Sequence, residues 1–197
     1  MPPPKGGAAV LFRVLETARL RLEPIRGDHA DAMVEGLGDP ALYAFALDET
    51  PAGRDELRER YERLASGWSP DGDERWLNWI VVPCAGAGAA GYVQATVARD
   101  RSTAVIGYLV LSAFQRRGIG GEAVGAMVDH LVAAGIGTLR AVVDVRNAAS
   151  IALLDRLGFE RRRTMRSDDV LAGVRGFDHE YVLGAHRLKR SEADGSP

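Results

Sequence analysis

The chain has 197 residues and a mass of 21.2 kDa, which is enough for one self-sufficient hydrophobic core. Apolar residues make up 46% and charged residues 26% of it, so neither a disordered chain nor a membrane protein fits. The formal net charge of −2 disfavours a nucleic-acid partner, and no apolar run reaches the roughly 18 residues that span a membrane. Its single cysteine, Cys84, excludes an internal disulfide and a cysteine-rich metal site and favours a cytoplasmic protein.

The two ends of the chain differ in composition from its middle. Residues 1–12 and 186–197 are rich in Pro, Gly, Ser and charge, so we predict flexible tails around one domain at 13–185. Hydrophobic periodicity predicts the elements within that domain. In chain order they are a strand at 19–24, helices at 28–37 and 55–65, strands at 76–82, 92–97 and 103–111, a helix at 118–134, a strand at 139–145, a helix at 148–157, and strands at 159–165 and 177–183.

This order predicts an α/β (α+β) fold in which about four helices flank a mostly antiparallel sheet of about seven strands. Asp28 is the expected N-cap of the first helix, with Ala32, Met33 and Leu37 on its buried side. In the third helix the apolar stripe consists of Val124, Met127, Val128 and Leu131. A polar loop is expected between the last two strands.

A glycine-rich turn between a strand and an amphipathic helix is the densest functional signal. It comprises Gln115, Arg116, Arg117, Gly118, Ile119, Gly120 and Gly121. Backbone N–H groups that are open at the start of a helix attract an anion such as a pyrophosphate, and the two arginines add positive charge. On these residues alone, a plain tight turn is the alternative. The spacing matches neither a Walker loop nor the dinucleotide-binding glycine motif.

A second signature follows 29 residues after Gly118, where Asn147 opens a helix that ends in Leu157-Gly158-Phe159. With these motifs the chain resembles the GNAT superfamily of acyl-CoA-dependent N-acyltransferases, whose pyrophosphate loop reads Gln/Arg-x-x-Gly-x-Gly/Ala. Gln115, Gly118 and Gly120 match that pattern. Residues 15–22 and 178–183 resemble the first and last strands of the branch that includes ribosomal-protein N-terminal alanine acetyltransferases.

The resemblance implies a single GNAT domain that uses acetyl-CoA, without a metal, to acetylate a primary amine by direct attack in a ternary complex. The acceptor would be a protein N-terminus or a small-molecule amine, and a homodimer is compatible with the resemblance. In the family, the strand before the glycine loop splays from its neighbour, so the main chain of Tyr108, Leu109 and Val110 is expected along the pantetheine arm. Residues 115–121 are expected at the pyrophosphate.

The helix that Asn147 opens carries the expected catalytic residues. Asn147 is an N-cap alone, or also a hydrogen-bond partner of the pantetheine or acetyl region. Where the family often has a tyrosine that protonates the CoA thiolate, this chain has Leu154, which fits the core or a wall of the CoA channel. One turn earlier, Ser150 would donate to the thiolate or bond locally. Because that tyrosine is missing, an acyl-CoA-binding module without turnover is the alternative function.

No general base stands out in the sequence. Gln94 cannot act as a base, and Asp48, Glu49 and Glu122 fit surface charges or caps, so a water relay is the expected route for the proton.

Three further groups of residues have open roles. Trp76, Asn78 and Trp79 are candidates for the acceptor pocket, with core packing as the alternative for at least one tryptophan. Arg161, Arg162 and Arg163 fit a solvated strand face better than a nucleic-acid patch. The glycines between residues 85 and 91 fit a plain hairpin turn.

Overall fold

The structure is a computed structural model that describes residues 11–45, 53–86, 88–171 and 174–184. Its framework is one sheet of eight strands in the order β1-β2-β3-β4-β5-β6-β8-β7, in which every neighbouring pair is antiparallel except β5 and β6. The strands are β1 (Leu15–Glu16), β2 (Leu20–Pro24), β3 (Glu74–Pro83), β4 (Gly91–Ala98), β5 (Thr103–Val110), β6 (Thr138–Asp144), β7 (Glu160–Leu171) and β8 (Val174–Gly184). The predicted mixed fold is confirmed, with the short β1 as an additional strand.

Four α-helices flank the sheet, as predicted. They are α1 (Ala30–Leu37), α2 (Arg54–Ala65), α3 (Ile119–Ala133) and α4 (Ala148–Arg156). The expected N-cap of α1 is wrong, because Asp28 lies within a 3₁₀ turn at Gly27–His29 and the α-helix begins only after it. This later start changes the buried set, so that Ala30 is buried with Met33 and Leu37 while Ala32 is exposed. No helix in the described ranges is both long and apolar enough to cross a membrane.

Each face of the sheet carries its own hydrophobic cluster, because successive side chains of a strand point to opposite faces. On one face, Leu77 and Trp79 of β3 pack with residues of α3 and α4. The predicted α3 stripe belongs to this cluster, and each of its members, Val124, Met127, Val128 and Leu131, is at most 2% exposed. On the other face, Ile80 of β3 packs with residues of α1 and α2.

The folded part of the chain begins before the predicted boundary at residue 13. Leu11 is only 1% exposed and lies in the larger cluster, and Phe12 packs edge-on against Trp79. Two buried donors hold this segment: Trp79 Nε1 donates to the carbonyl of Arg13 at 2.8 Å, and His130 Nε2 lies 2.8 Å from the carbonyl of Leu11. Leu11 and Phe12 therefore belong to the core. Residues 1–10 and the predicted C-terminal tail at 186–197 lie outside the described residues.

The two parallel strands are paired over only three residues. Thr103, Ala104 and Val105 of β5 face Thr138, Leu139 and Arg140 of β6, and the pairing stops there. Beyond it β5 keeps its other neighbour, β4, while β6 keeps β8. A wedge-shaped gap therefore opens in the middle of the sheet, lined by the β5 edge from residue 106 to 110. We call this gap the sheet opening.

The last hairpin is longer than the sequence pattern predicts. Most of the expected polar loop is strand, since β7 continues to Leu171 and β8 starts at Val174, with irregular pairing between Arg161 and Arg163 and between Arg166 and Val170. β7 lies at the edge of the sheet, where exposed charged side chains are common. Its many arginines hide the alternation by which a strand is normally recognised.

Candidate active site

Three glycines lie at the start of α3, and each has a different environment. Gly118, the N-cap, has a φ of 78°, a left-handed conformation that glycine adopts without strain. At Gly120 a Cβ would lie 3.3 Å from side-chain atoms of both Leu153 and Val110, so this position is tightly packed. At Gly121 a Cβ would meet nothing within 4 Å. Packing within the described residues therefore does not require glycine at position 121.

No side chain among the described residues caps the start of α3. The first backbone N–H groups of a helix have no intrahelical acceptor, so those of residues 118–121 remain available to a ligand. The adjacent Arg116 is exposed and also left-handed, with a φ of 60°. The Arg117 guanidinium lies 5.9 Å from the centre of the Phe114 ring. The predicted anion site therefore combines open donors with positive charge.

The glycine loop is held by an ion pair between Arg19 and Glu122, which the sequence alone did not predict. Arg19 Nη1 donates to the carbonyl of Arg117 at 3.2 Å, and Arg19 Nη2 lies 2.6 Å from Glu122 Oε2. Thr17 also donates to Glu122, at 2.6 Å. Although burial raises the pKa of Glu122, the hydrogen bonds from Thr17 and Arg19 outweigh it and lower the pKa. Glu122 therefore holds Thr17 and Arg19 against the glycine loop, and it is a poor general base.

The glycine loop is connected directly to the sheet opening. Gln115 Nε2 donates to the carbonyl of Val110 at 3.0 Å, at the end of β5. Tyr108, Leu109 and Val110 pair with β4 on one side, while on the other side no strand of the described ranges pairs with them. Alternate backbone groups of these residues therefore face the opening. The structure thus brings the predicted pantetheine residues and the predicted pyrophosphate loop together along one continuous surface.

Gly91, which the sequence analysis assigned to a plain hairpin turn, is the first residue of β4 and pairs with Val110. A Cβ at Gly91 would lie 2.1 Å from the carbonyl oxygen of Leu109, far inside contact distance, and the residue has a φ of 148°. Only glycine fits there without moving the backbone of β5 at the sheet opening. The GNAT motifs contain no signal for this position, because it depends on strand register.

The start of α4 brings three polar groups together. Asn147 is the N-cap, as predicted, and its Oδ1 accepts from the backbone N–H of Ser150 at 3.1 Å. The Ser150 hydroxyl makes no local hydrogen bond to its own helix in the described part of the chain; its side chain instead interacts with the Tyr108 hydroxyl. Tyr108 reaches this turn from β5, with its hydroxyl 3.4 Å from the Ser150 carbonyl oxygen.

The hydroxyl of Tyr108 is a chemical group that the sequence analysis missed, because only the main chain of this residue was considered. Burial raises the pKa of Tyr108, although the hydrogen bond with the Ser150 side chain acts in the opposite direction. The phenol is therefore protonated at neutral pH. By contrast, Leu154 is 1% exposed and lies in the larger hydrophobic cluster, in agreement with the core alternative. Its role as a channel wall stays a prediction.

Two further carboxylates near the sheet opening, Asp144 and Glu180, are held in ion pairs. At the end of β6, hydrogen bonds from Arg146 lower the pKa of Asp144 against the opposing effect of burial. On β8, hydrogen bonds from Arg140 and, against burial, from Arg163 lower the pKa of Glu180. These groups bind protons weakly. The other candidate bases, Asp48 and Glu49, lie outside the described residues.

The predicted acceptor residues separate onto the two faces of β3. Trp79 is fully buried in the larger cluster, whereas Asn78 lines a cavity beneath α1 and α2 together with Gln94 of β4. Trp76 is half-buried, and its Nε1 donates to Glu74 at 3.4 Å. Of the sequence candidates for the acceptor pocket, Asn78 therefore has the strongest structural support.

The side chains of Arg161, Arg162 and Arg163 are all exposed on edge strand β7, and Arg163 is paired with Glu180. This arrangement agrees with the solvated-face interpretation.

Comparison with known families decides the classification. Residues 19–160 match the family model described as "Acetyltransferase (GNAT) domain". The chain belongs to the GNAT acetyltransferase family. This GNAT protein is accordingly an N-acetyltransferase, as the resemblance of its glycine loop and Asn147 helix implied. Comparison with curated protein sequences found no match.

Solved structures support the GNAT fold. A RimL ribosomal L7/L12 α-N-protein acetyltransferase in complex with coenzyme A has a TM-score of 0.77 and 20% identity, over 87% of this chain and 97% of that one. The ribosomal-protein-S5-alanine acetyltransferase from Vibrio fischeri has a TM-score of 0.76 and 17% identity, over 87% and 96%. The microcin C7 self-immunity acetyltransferase MccE, in complex with acetyl-CoA and AMP, has a TM-score of 0.75 and 17% identity, over 85% and 93%.

Proposed function

We propose that this protein transfers the acetyl group of acetyl-CoA to a primary amine while both substrates are bound, without a covalent enzyme intermediate. The acceptor is a protein N-terminus or a small-molecule amine. The observation that carries the proposal is the continuous surface formed by the uncapped start of α3, the bond from Gln115 to Val110, and the open edge of β5. This surface offers one ligand both an anion site and a row of backbone hydrogen-bonding groups.

The residues of this chain fit coenzyme A. Backbone N–H groups of residues 118–121, with Arg116 and Arg117, would hold the pyrophosphate, and the open edge at Tyr108–Val110 would bond the amides of the pantetheine arm. Gly121 supports this assignment, because the space beside it serves no packing role in the described structure. When bound, acetyl-CoA supplies the activated thioester that an amine attacks.

The departing thiolate needs a proton, and two hydroxyl groups lie at the first turn of α4. The Ser150 hydroxyl lies beside Tyr108, whose own hydroxyl is 3.4 Å from the Ser150 carbonyl oxygen. We assign thiolate protonation to Tyr108 with Ser150 beside it, in place of the tyrosine that is missing at Leu154. The side-chain N–H₂ of Asn147 is not used by the cap, so it would bond the reactive end of the pantetheine arm.

The attacking amine must be neutral, so its proton must be removed near the sheet opening. Asp144, Glu180 and Glu122 are held in ion pairs that lower their pKa values, which makes them weak bases. Gln94 can orient a water molecule but cannot take its proton. These constraints favour release of the amine proton through water.

An acceptor screen tests the proposal directly. Release of free thiol from acetyl-CoA is measured across peptides and small amines, and each positive product is identified by mass spectrometry. We expect thiol release that depends on the amine, with one acetyl group on the acceptor nitrogen. A second function, acyl-CoA binding without turnover, is suggested by Leu154 at the usual tyrosine position. Tight binding of coenzyme A without thiol release on any acceptor would favour that function and reject ours.

A further inference from the structure

A cavity of about 30 Å³ lies beneath α1 and α2, on the face of the sheet opposite α3 and α4. Its wall is mainly leucine, isoleucine and tyrosine, and its polar lining includes Tyr61 of α2, Asn78 of β3 and Gln94 of β4. One enclosed water needs roughly 10–15 Å³ of such space. The cavity therefore has room for a substituent of about two non-hydrogen atoms.

Three polar side chains of this cavity, those of Tyr61, Asn78 and Gln94, make no hydrogen bond within the described ranges. Tyr61 is 4% exposed, and its buried hydroxyl has no hydrogen-bond partner among the described residues. Asn78 is 6% exposed, and neither its side-chain amide nor that of Gln94 makes a hydrogen bond within the described ranges. Buried polar groups in folded proteins are nearly all hydrogen-bonded. A buried phenol beside the buried, unpaired amide of Asn78 is therefore typical of a ligand-binding pocket, whereas Gln94 is exposed and can bond to solvent.

The cavity lies against the strand where acetyl transfer is proposed. Leu109 lines it and also belongs to the open edge of β5. Gln94 extends across β5, because Gly107 has no side chain there: a Cβ on Gly107 would lie 2.9 Å from Gln94 Nε2. The cavity and the sheet opening therefore share β5 and lie next to each other.

We infer that the cavity receives the substituent next to the acceptor nitrogen, and that the acceptor is a primary amine carrying a small uncharged hydrogen-bonding group, namely a hydroxyl. This inference rests on the proposed acetyl transfer. The Tyr61 hydroxyl and the amide of Asn78 would bond that group. Arg60 is the only charged side chain among the described residues of the lining, so a second cation on the acceptor is disfavoured. Polyamines are therefore poor acceptors.

Three probes of one skeleton test this specificity: serinamide, 2-aminobutanamide and 2,3-diaminopropanamide, which place a hydroxyl, a methyl and an amino group at the same position. We expect the wild-type kcat/KM for serinamide to exceed that for each of the others by roughly tenfold or more. In Tyr61→Phe, the preference for serinamide over 2-aminobutanamide should fall to within about twofold. Tyr43 lines the same cavity, and Tyr43→Phe is the matched control: it should keep the preference, because the Tyr43 hydroxyl already donates to the Leu37 carbonyl at 2.8 Å and is not free to bond the acceptor.

Binding of serinamide can also be tested without turnover, by its effect on the melting temperature. In the presence of coenzyme A, serinamide should raise the melting temperature of the wild type more than that of Tyr61→Phe. Equal kcat/KM for serinamide and 2-aminobutanamide, or a preference that survives in Tyr61→Phe, would overturn the inference while acetyl transfer stands. Acetylation of other amines without acetylation of serinamide would also overturn the inference. If no amine in the wider screen is acetylated, the proposed function fails first.

Discussion

Replacing Gly121 with alanine should stabilise the protein and weaken its binding of coenzyme A. The residue lies in the first turn of α3 with an ordinary helical backbone, and a Cβ there meets nothing within 4 Å. Alanine is favoured over glycine in a helix by about 0.5–1 kcal/mol, which corresponds to a rise of about 1–4 °C in melting temperature for a domain of this size. The new Cβ tilts toward the helix N-terminus, where the phosphate is expected, and loss of one charge-assisted hydrogen bond costs about 1.5–3 kcal/mol. We therefore expect coenzyme A affinity to fall by roughly 10- to 100-fold.

The two effects are measured separately, by thermal unfolding of the free protein and by calorimetric titration with coenzyme A. Gly125→Ala is the control: it makes the same replacement one turn later, where a Cβ lies 3.6 Å from Leu157 in ordinary contact. It should show a similar gain in stability with near wild-type affinity. If Gly121→Ala binds coenzyme A as tightly as Gly125→Ala does, the phosphate does not approach this glycine and the loop assignment is wrong.

Three further variants test separate parts of the structure. Tyr108→Phe should lower kcat by roughly tenfold or more with little change in the KM for acetyl-CoA; a kcat equal to the wild-type value would remove Tyr108 as proton donor. Gly91→Ala should reduce the free energy of unfolding in urea by roughly 2 kcal/mol or more, since its Cβ would lie 2.1 Å from the Leu109 carbonyl oxygen. Because Arg140 and Arg163 lower the pKa of Glu180, the stability from its carboxylate is complete at neutral pH and is lost as the pH falls through that lowered pKa. Glu180→Gln should therefore be less stable than wild type at pH 7, and a difference that does not shrink below about pH 4 would contradict this linkage.

The order and type of the elements could be predicted because apolar spacing records which side of each helix or strand is buried. The α3 stripe shows this, since all four of its predicted residues are buried. The prediction failed at α1, where a 3₁₀ turn takes up the residues expected to start the helix and shifts the buried face from Ala32 to Ala30. It also failed at the end of β7, where an exposed edge strand imposes no alternation.

The candidate site was predictable only where its chemistry is local. The glycine loop and the Asn147 cap follow from short motifs, because open N–H groups and N-caps are properties of one helix start. The contact between Gly91 and Leu109, the reach of Tyr108 to α4, and the cavity at Tyr61 each depend on elements that are distant in sequence. Strand register and helix docking create these features, and no single segment contains them.

The sheet opening also bears on self-association. An unpaired strand edge is normally a template on which another chain can add, and many proteins protect such edges with charge or bulges. Here the unpaired part of β5 is internal, since β6 rejoins it at residues 103–105 and both strands keep their outer neighbours. The unpaired edge therefore lies inside the sheet, and not at its rim, where another chain would normally add. The unpaired backbone groups that would promote aggregation at an outer edge are thus placed within the sheet, where the pantetheine arm proposed above would use them.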